Sequence, residues 1–161
     1  MPNLSGVSVM VLPVQIRRGV DREIDAEIGY ALRSRGRIEW IFPDQLRSAL
    51  TRSPGLNVNL DTLAVAVFLQ AEVQRVGDPL FGELRRLSAL TRADYALIPV
   101  EARRGEPDDA GVSRAELVVA LVHTRDGRVR WFAVLEGDPG DPGDPRTVAS
   151  LAEGLARTVA P

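Results

Sequence analysis

The chain contains no cysteine. Disulfides, thiolate zinc sites, thiol catalysis and acylation at a lipobox cysteine are therefore absent from these residues. Lysine is missing too, since all twenty basic residues are arginine. That excludes Schiff-base chemistry and a lysine general base. The arginines scatter along the whole chain, which reads as the codon bias of a GC-rich genome. A surface gripping phosphate or carboxylate through guanidinium forks is the sharper alternative. Histidine occurs once, at His123. No apolar run approaches the roughly 20 residues of a spanning helix, so no membrane span is expected. Phosphate-cradling glycine patterns are absent as well. Arg17-Arg18-Gly19-Val20 follows the first apolar run and fits neither a dinucleotide fingerprint nor a P-loop.

What is there is an ordinary globular composition. The 161 residues are 45% hydrophobic and 26% charged, with a formal net charge of -2. That length suits one domain, expected to span 1–161, with a core needing no metal or disulfide staple. The slightly negative balance argues against a nucleic-acid partner, which would select a basic face. The opening Met1-Pro2-Asn3-Leu4-Ser5-Gly6 does not read as a signal peptide. The expected location is cytoplasmic, or periplasmic and envelope-associated if an export signal has been removed.

Hydrophobic periodicity gives the elements. Val7 to Ile16 is apolar at nearly every position and reads as a strand buried on both faces. Asp21 is placed to cap a helix with Ile24, Ile28, Ala31 and Leu32 on one stripe, ended by Gly36. Arg37 to Phe42 is a second strand. Pro43-Asp44 opens a short helix with Leu46, Ala49 and Leu50 inward. Leu60 to Val76 fits helix or strand, and its length favours helix. Asp78-Pro79 is a cap-plus-proline start for a helix reaching Arg92. Asp94 to Val100 is a third strand. Arg114 to Thr124 and Arg128 to Glu136 form a hairpin around Asp126-Gly127. With a type I′ turn there, Leu121 faces Phe132, Val119 faces Val134, Val122 faces Trp131 and Val118 faces Leu135. Asp144-Pro145 starts the last helix. The fold expected is α/β, a mixed sheet of about five strands with helices on both faces, in the order β-α-β-α-α-α-β-β-β-α.

The chemistry-bearing residues have sparse support. His123 would have to serve any Ser-His-Asp triad, yet it lies near a hairpin turn opposite Arg130, and no nucleophile elbow precedes it. Asp21, Glu23, Asp25 and Glu27 could hold a divalent cation. They equally suit a solvated first turn that complements the helix dipole. Asp138-Pro139-Gly140-Asp141-Pro142-Gly143-Asp144-Pro145 is a three-residue repeat. In polyproline geometry its aspartates would share a face and could hold calcium weakly; a flexible connector is the plainer reading. Trp40 and Phe42, near Arg37 and Arg47, could stack on a ring, but suit core anchoring. No catalytic, cofactor-binding or metal-ligating residue is therefore assigned, and no cofactor is expected.

Two segments carry a resemblance. Val9-Met10-Val11-Leu12-Pro13 is a buried first strand ending in Leu-Pro. Leu121-Val122-His123-Thr124-Arg125-Asp126-Gly127-Arg128-Val129-Arg130-Trp131 is a hairpin in which a Gly turn precedes an apolar residue and a Trp. With the approach through Ala93-Asp94-Tyr95-Ala96-Leu97-Ile98, these resemble the TolB amino-terminal-domain type of fold. That fold is found in curli-secretion-type envelope lipoproteins and in outer-membrane activators of penicillin-binding proteins. The lipidated cysteine of the lipoprotein members is absent here, and the insert from Leu60 to Arg92 is long. The resemblance implies a non-enzymatic protein-interaction domain of the bacterial envelope, with a protein partner or self-association. Its expected contact surfaces are the Leu60–Val76 helix and the free edge of the hairpin. The rival expectation is a small ligand-binding protein or an enzyme using carboxylates, marked by a deep pocket with convergent polar groups.

Overall fold

The first apolar run is cut by its own proline. In the computed structural model, which describes residues 1–20 and 23–161, it forms β1 (Ser8–Val11) and β2 (Ile16–Arg18). Pro13 has no N–H to give a ladder. The Leu12 and Gln15 N–H groups still donate to the carbonyls of Leu97 and Pro99, at 3.0 and 3.1 Å. Between them the Val14 N–H turns away and donates to Asp25 Oδ1 at 2.7 Å. The expected single strand is thus two, and the sheet has six strands.

Helix α1 (Ile24–Arg33) buries the stripe read from sequence, Ile24, Ile28, Ala31 and Leu32. Its N-cap is Glu23; Asp21, expected in that role, lies outside the described residues. Then come β3 (Glu39–Ile41) and α2 (Pro43–Thr51), with proline in its first turn and Leu46 buried. β1 pairs in parallel with β3 on one side and β4 (Tyr95–Arg104) on the other.

The helix expected over Leu60–Val76 does not form. Only α3 (Val67–Gln70) is helical there. The backbone polar groups that a helix would have paired are held from outside. Gln15 Nε2 donates to the Leu60 carbonyl at 2.8 Å, and Gln15 Oε1 accepts from the Leu63 N–H at 2.9 Å. Five of the segment's residues, Thr62, Val65, Val67, Val73 and Val76, are also β-branched, which lowers helix propensity. Leu60, Leu63, Val65, Phe68 and Val76 are nevertheless buried.

Helix α4 (Leu80–Thr91) starts one residue later than expected. Pro79 is its N-cap, and Asp78 Oδ1 accepts from the Gly82 N–H at 2.9 Å. The remaining elements are β5 (Arg114–His123), β6 (Val129–Pro139) and α5 (Pro145–Val159), the last capped by Asp144 as read from sequence. The sheet order is β3-β1-β4-β5-β6, with β2 pairing β4. β4, β5 and β6 are antiparallel neighbours, so the sheet is mixed. α1 and α5 pack on one face against Val9, Val11, Leu117, Val119 and Leu121. α2, α4 and the 58–76 segment cover Met10, Ile98, Val118, Ala120 and Val122 on the other. This is the expected α/β architecture.

The hairpin is displaced by one residue from the expected register. Leu121 pairs with Trp131, Val119 with Ala133, Val118 with Val134 and Val122 with Val129. A bulge between Leu121 and Val122 absorbs Arg130. The turn spans four residues, because Thr124 is bound to the other side. Its N–H donates to the Asp94 carbonyl at 3.0 Å, and its hydroxyl lies 2.8 Å from the Ala93 carbonyl oxygen. Within the turn only Gly127 has positive φ, at 69°, so a type I′ turn, which needs two, is not formed.

Candidate functional site

β6 is the last strand, and its outer edge is paired only at its start. There the Val76 N–H donates to the Gly127 carbonyl and the Val129 N–H to the Gln74 carbonyl, both at 2.8 Å. Beyond Val129 no strand flanks it among the described residues. Its side chains alternate. Trp131 and Leu135 are half-buried and pack against the core beneath α5. On the opposite face Arg130, Phe132, Val134 and Glu136 are exposed. Phe132 and Val134 each keep 46% of their surface in water.

The layer over that face ends at α3, where the Phe68 ring stacks on Phe132 with centroids 6.3 Å apart. Val67 and Leu69 on α3 are exposed beside it. Between the 68–74 segment and the strand runs an open groove of about 680 Å³, lined in part by Leu69, Val73, Arg130 and Phe132. The result is an apolar surface next to unpaired strand backbone.

At the hairpin tip, His123 Nδ1 lies 2.9 Å from Asp126 Oδ1, and its ring tilts against Tyr95 at 5.2 Å. Asp126 also accepts from the Arg128 N–H at 3.0 Å and from the Arg130 guanidinium at 3.3 Å. The Arg128 N–H, then the hydrogen bond and charge of His123, then Arg130, hold its carboxyl down at about 2. Asp126 therefore stands between His123 and Arg130, which were expected to oppose each other directly. Among the described residues no serine or threonine hydroxyl hydrogen-bonds to the imidazole, so no triad is assembled.

The acidic first turn is not simply solvated. Asp25 turns in to hold Val14 and pairs with Arg17. Burial raises its pKa, opposed by the Val14 N–H and the Arg17 charge. The Asp-Pro-Gly repeat divides its aspartates among separate tasks. Asp138 belongs to β6, Asp141 Oδ1 accepts from the Gly143 N–H at 2.9 Å, and Asp144 Oδ1 accepts from the Arg146 N–H at 2.8 Å. Among the described residues no three of His, Asp and Glu gather closely enough to hold a metal ion. Trp40 is half-buried against the core and its Nε1 donates to the Arg35 carbonyl at 3.3 Å. Arg33, not Arg37, lies over the Phe42 ring, at 5.1 Å, and Arg47 forks onto both Asp61 oxygens at 3.0 Å.

Sequence reasoning missed Glu101, since the third strand was expected to stop at Val100. The strand continues, and Glu101 is 2% exposed with Arg18 at 2.9 Å and Arg103 at 3.2 Å. Arg103 also pairs with Glu116 at 2.9 Å. The signal was the charged run Glu101-Ala102-Arg103-Arg104 following an apolar strand, which can be read as strand or loop.

No family model matches the chain, and no curated protein sequence matches it. Solved structures do. The LpoB C-terminal domain from Escherichia coli aligns over 84% of this chain and 85% of its own, with 16% identity and a TM-score of 0.54. A variant of the PelC dodecamer from Paraburkholderia phytofirmans aligns over 99% of this chain and 94% of its own, with 16% identity and a TM-score of 0.51. Lipoprotein GNA1162 from Neisseria meningitidis aligns over 94% of this chain and 95% of its own, with 15% identity and a TM-score of 0.46. The chain shares its fold with the first two, and at these identities the likeness speaks of fold alone.

Proposed function

We propose that this chain is a non-enzymatic protein-interaction domain of the bacterial cell envelope, and that it engages its protein partner along β6. The observation carrying this reading is the pair Phe132 and Val134, half in water on an unpaired sheet edge. Soluble proteins usually blunt such edges with charge, proline or bulges. Here the bulge and Pro139 lie at the two ends of the strand and the apolar pair stands between them. Strand addition would satisfy the backbone, and the apolar face would add area and specificity. Three of the carboxylates that chemistry could use, Asp126, Asp25 and Glu101, are tied into structural pairs. A fold shared with a dodecameric protein supports assembly as a use of this scaffold. The envelope location rests on the TolB-type resemblance. Both cores share one sheet, which supports a single domain over 1–161.

The test is Val134→Lys, which puts a charge in the middle of the edge without touching either core. Native capture from the producing cell, scored together with self-association, should recover a protein or a second copy with the wild type and lose it with the variant. The unfolding midpoint of the dilute, unassociated chain should be unchanged. Equal retention by both chains, or substrate turnover abolished by changing one carboxylate, would contradict the reading.

A further inference from the structure

The exposed face of β6 reads, in order, cation, apolar, apolar, anion: Arg130, Phe132, Val134, Glu136. Reversed, that string is its own complement. We propose that the partner on this edge is a second copy of the chain, its β6 antiparallel to the first about a twofold axis at Ala133. The proposal rests on β6 being the interaction edge and adds the occupant and the register.

The register follows from symmetry and charge. A twofold axis normal to the sheet keeps each residue on its own face, so even-numbered residues meet even-numbered ones. Centred on Ala133, Arg130 lies across from the second copy's Glu136, and Phe132 across from its Val134. On the other face Trp131 meets Leu135. Centred on Phe132, Arg130 would face Val134, and Glu136 would fall opposite Arg128, where the edge is already occupied by Arg75. Centred on Val134, Phe132 would face Glu136. Only the Ala133 register pairs charge with charge and apolar with apolar within the unpaired stretch 130–136.

The local chemistry agrees. Glu136 has no ion-pair partner among the described residues. Arg130 shares Asp126 at 3.3 Å and remains partly exposed. The open groove borders Arg130 and Phe132, the positions that the second copy's Glu136 and Val134 would face. An isologous contact of this kind closes as a dimer and uses up both edges, so it does not propagate into fibres.

Charge reversal tests the register. The full chain is analysed by sedimentation and light scattering across a concentration series as wild type, Arg130→Glu, Glu136→Arg and an equimolar mixture of the two variants. The wild type should be dimeric. Each reversal places two like-charged pairs across the axis and should weaken the dimer by about tenfold or more. In the mixture both crossing pairs have opposite signs again, and a heterodimer should form. Glu136→Gln, at an exposed position, is the milder variant should a reversal unfold, and it should weaken the dimer without abolishing it. A wild type that stays monomeric, assembles beyond a dimer, or dimerises indifferently to both reversals overturns the proposal. So does a mixture that fails to pair. A monomeric wild type that still captures another protein in a Val134-dependent manner removes the self-pairing and keeps the interaction edge. Loss of both removes the functional reading as well.

Discussion

Gln15 shows how one residue redirects a segment 45 positions away. Its amide answers the Leu60 carbonyl and the Leu63 N–H together, and a helix there would have needed those groups for its own ladder. Gly127 has a comparable reach over the hairpin. Its φ of +69° suits glycine, and a Cβ there would come within 3.0 Å of both Val76 O and the Phe81 ring. Gly127→Ala should therefore cost about 1–2 kcal/mol, combining the left-handed penalty with the contact against a backbone oxygen. Denaturant unfolding checks this, and a loss under 0.5 kcal/mol, about the scatter of surface substitutions, would show that the turn relaxes freely.

Among the elements, β4 carries an ion network where it pairs with β2 and β5. Glu101 is buried, and its two arginines keep part of their surface in water. Removing Arg103 is therefore worse than neutralising the acid, because the buried Glu101 is left to Arg18 alone and Glu116 loses its guanidinium, while freed arginines can rehydrate. Arg103→Ala should destabilise by about 2–3 kcal/mol and Glu101→Gln by about 1 kcal/mol. Thermal melts of the two variants give the order directly, and the reverse order would refute the argument. The same elements show what the sequence made legible. Amphipathic stripes such as Ile24-Ile28-Leu32 and the Asp144-Pro145 start were readable because local propensity and tertiary packing agree there. The break at Pro13, the lost 60–76 helix and the slipped hairpin were not. The helix and the hairpin are decided by distant partners, Gln15 for the 60–63 backbone and Ala93 and Asp94 for Thr124, whereas Pro13 itself marked the first break, which the apolar residues on both sides of it concealed. The β6 edge was legible as a free edge. Its exposed apolar face was not, since helices were expected to cover both faces of the sheet.

At the scale of the molecule, the central strands of the sheet are covered on both faces, and the last strand leaves Phe132 and Val134 in water. The fold is shared with the LpoB C-terminal domain and PelC. Hydrogen exchange along the backbone tests the central claim most directly. Deuterium uptake is compared between dilute protein and protein at high concentration or bound to its captured partner. The account predicts slowed exchange in 130–136 and in the 68–73 segment lining the groove, with the rest of the chain unchanged. Protection appearing elsewhere, such as the groove lined by residues 1–5 and 158–161, with 130–136 exchanging at its dilute rate, would contradict it.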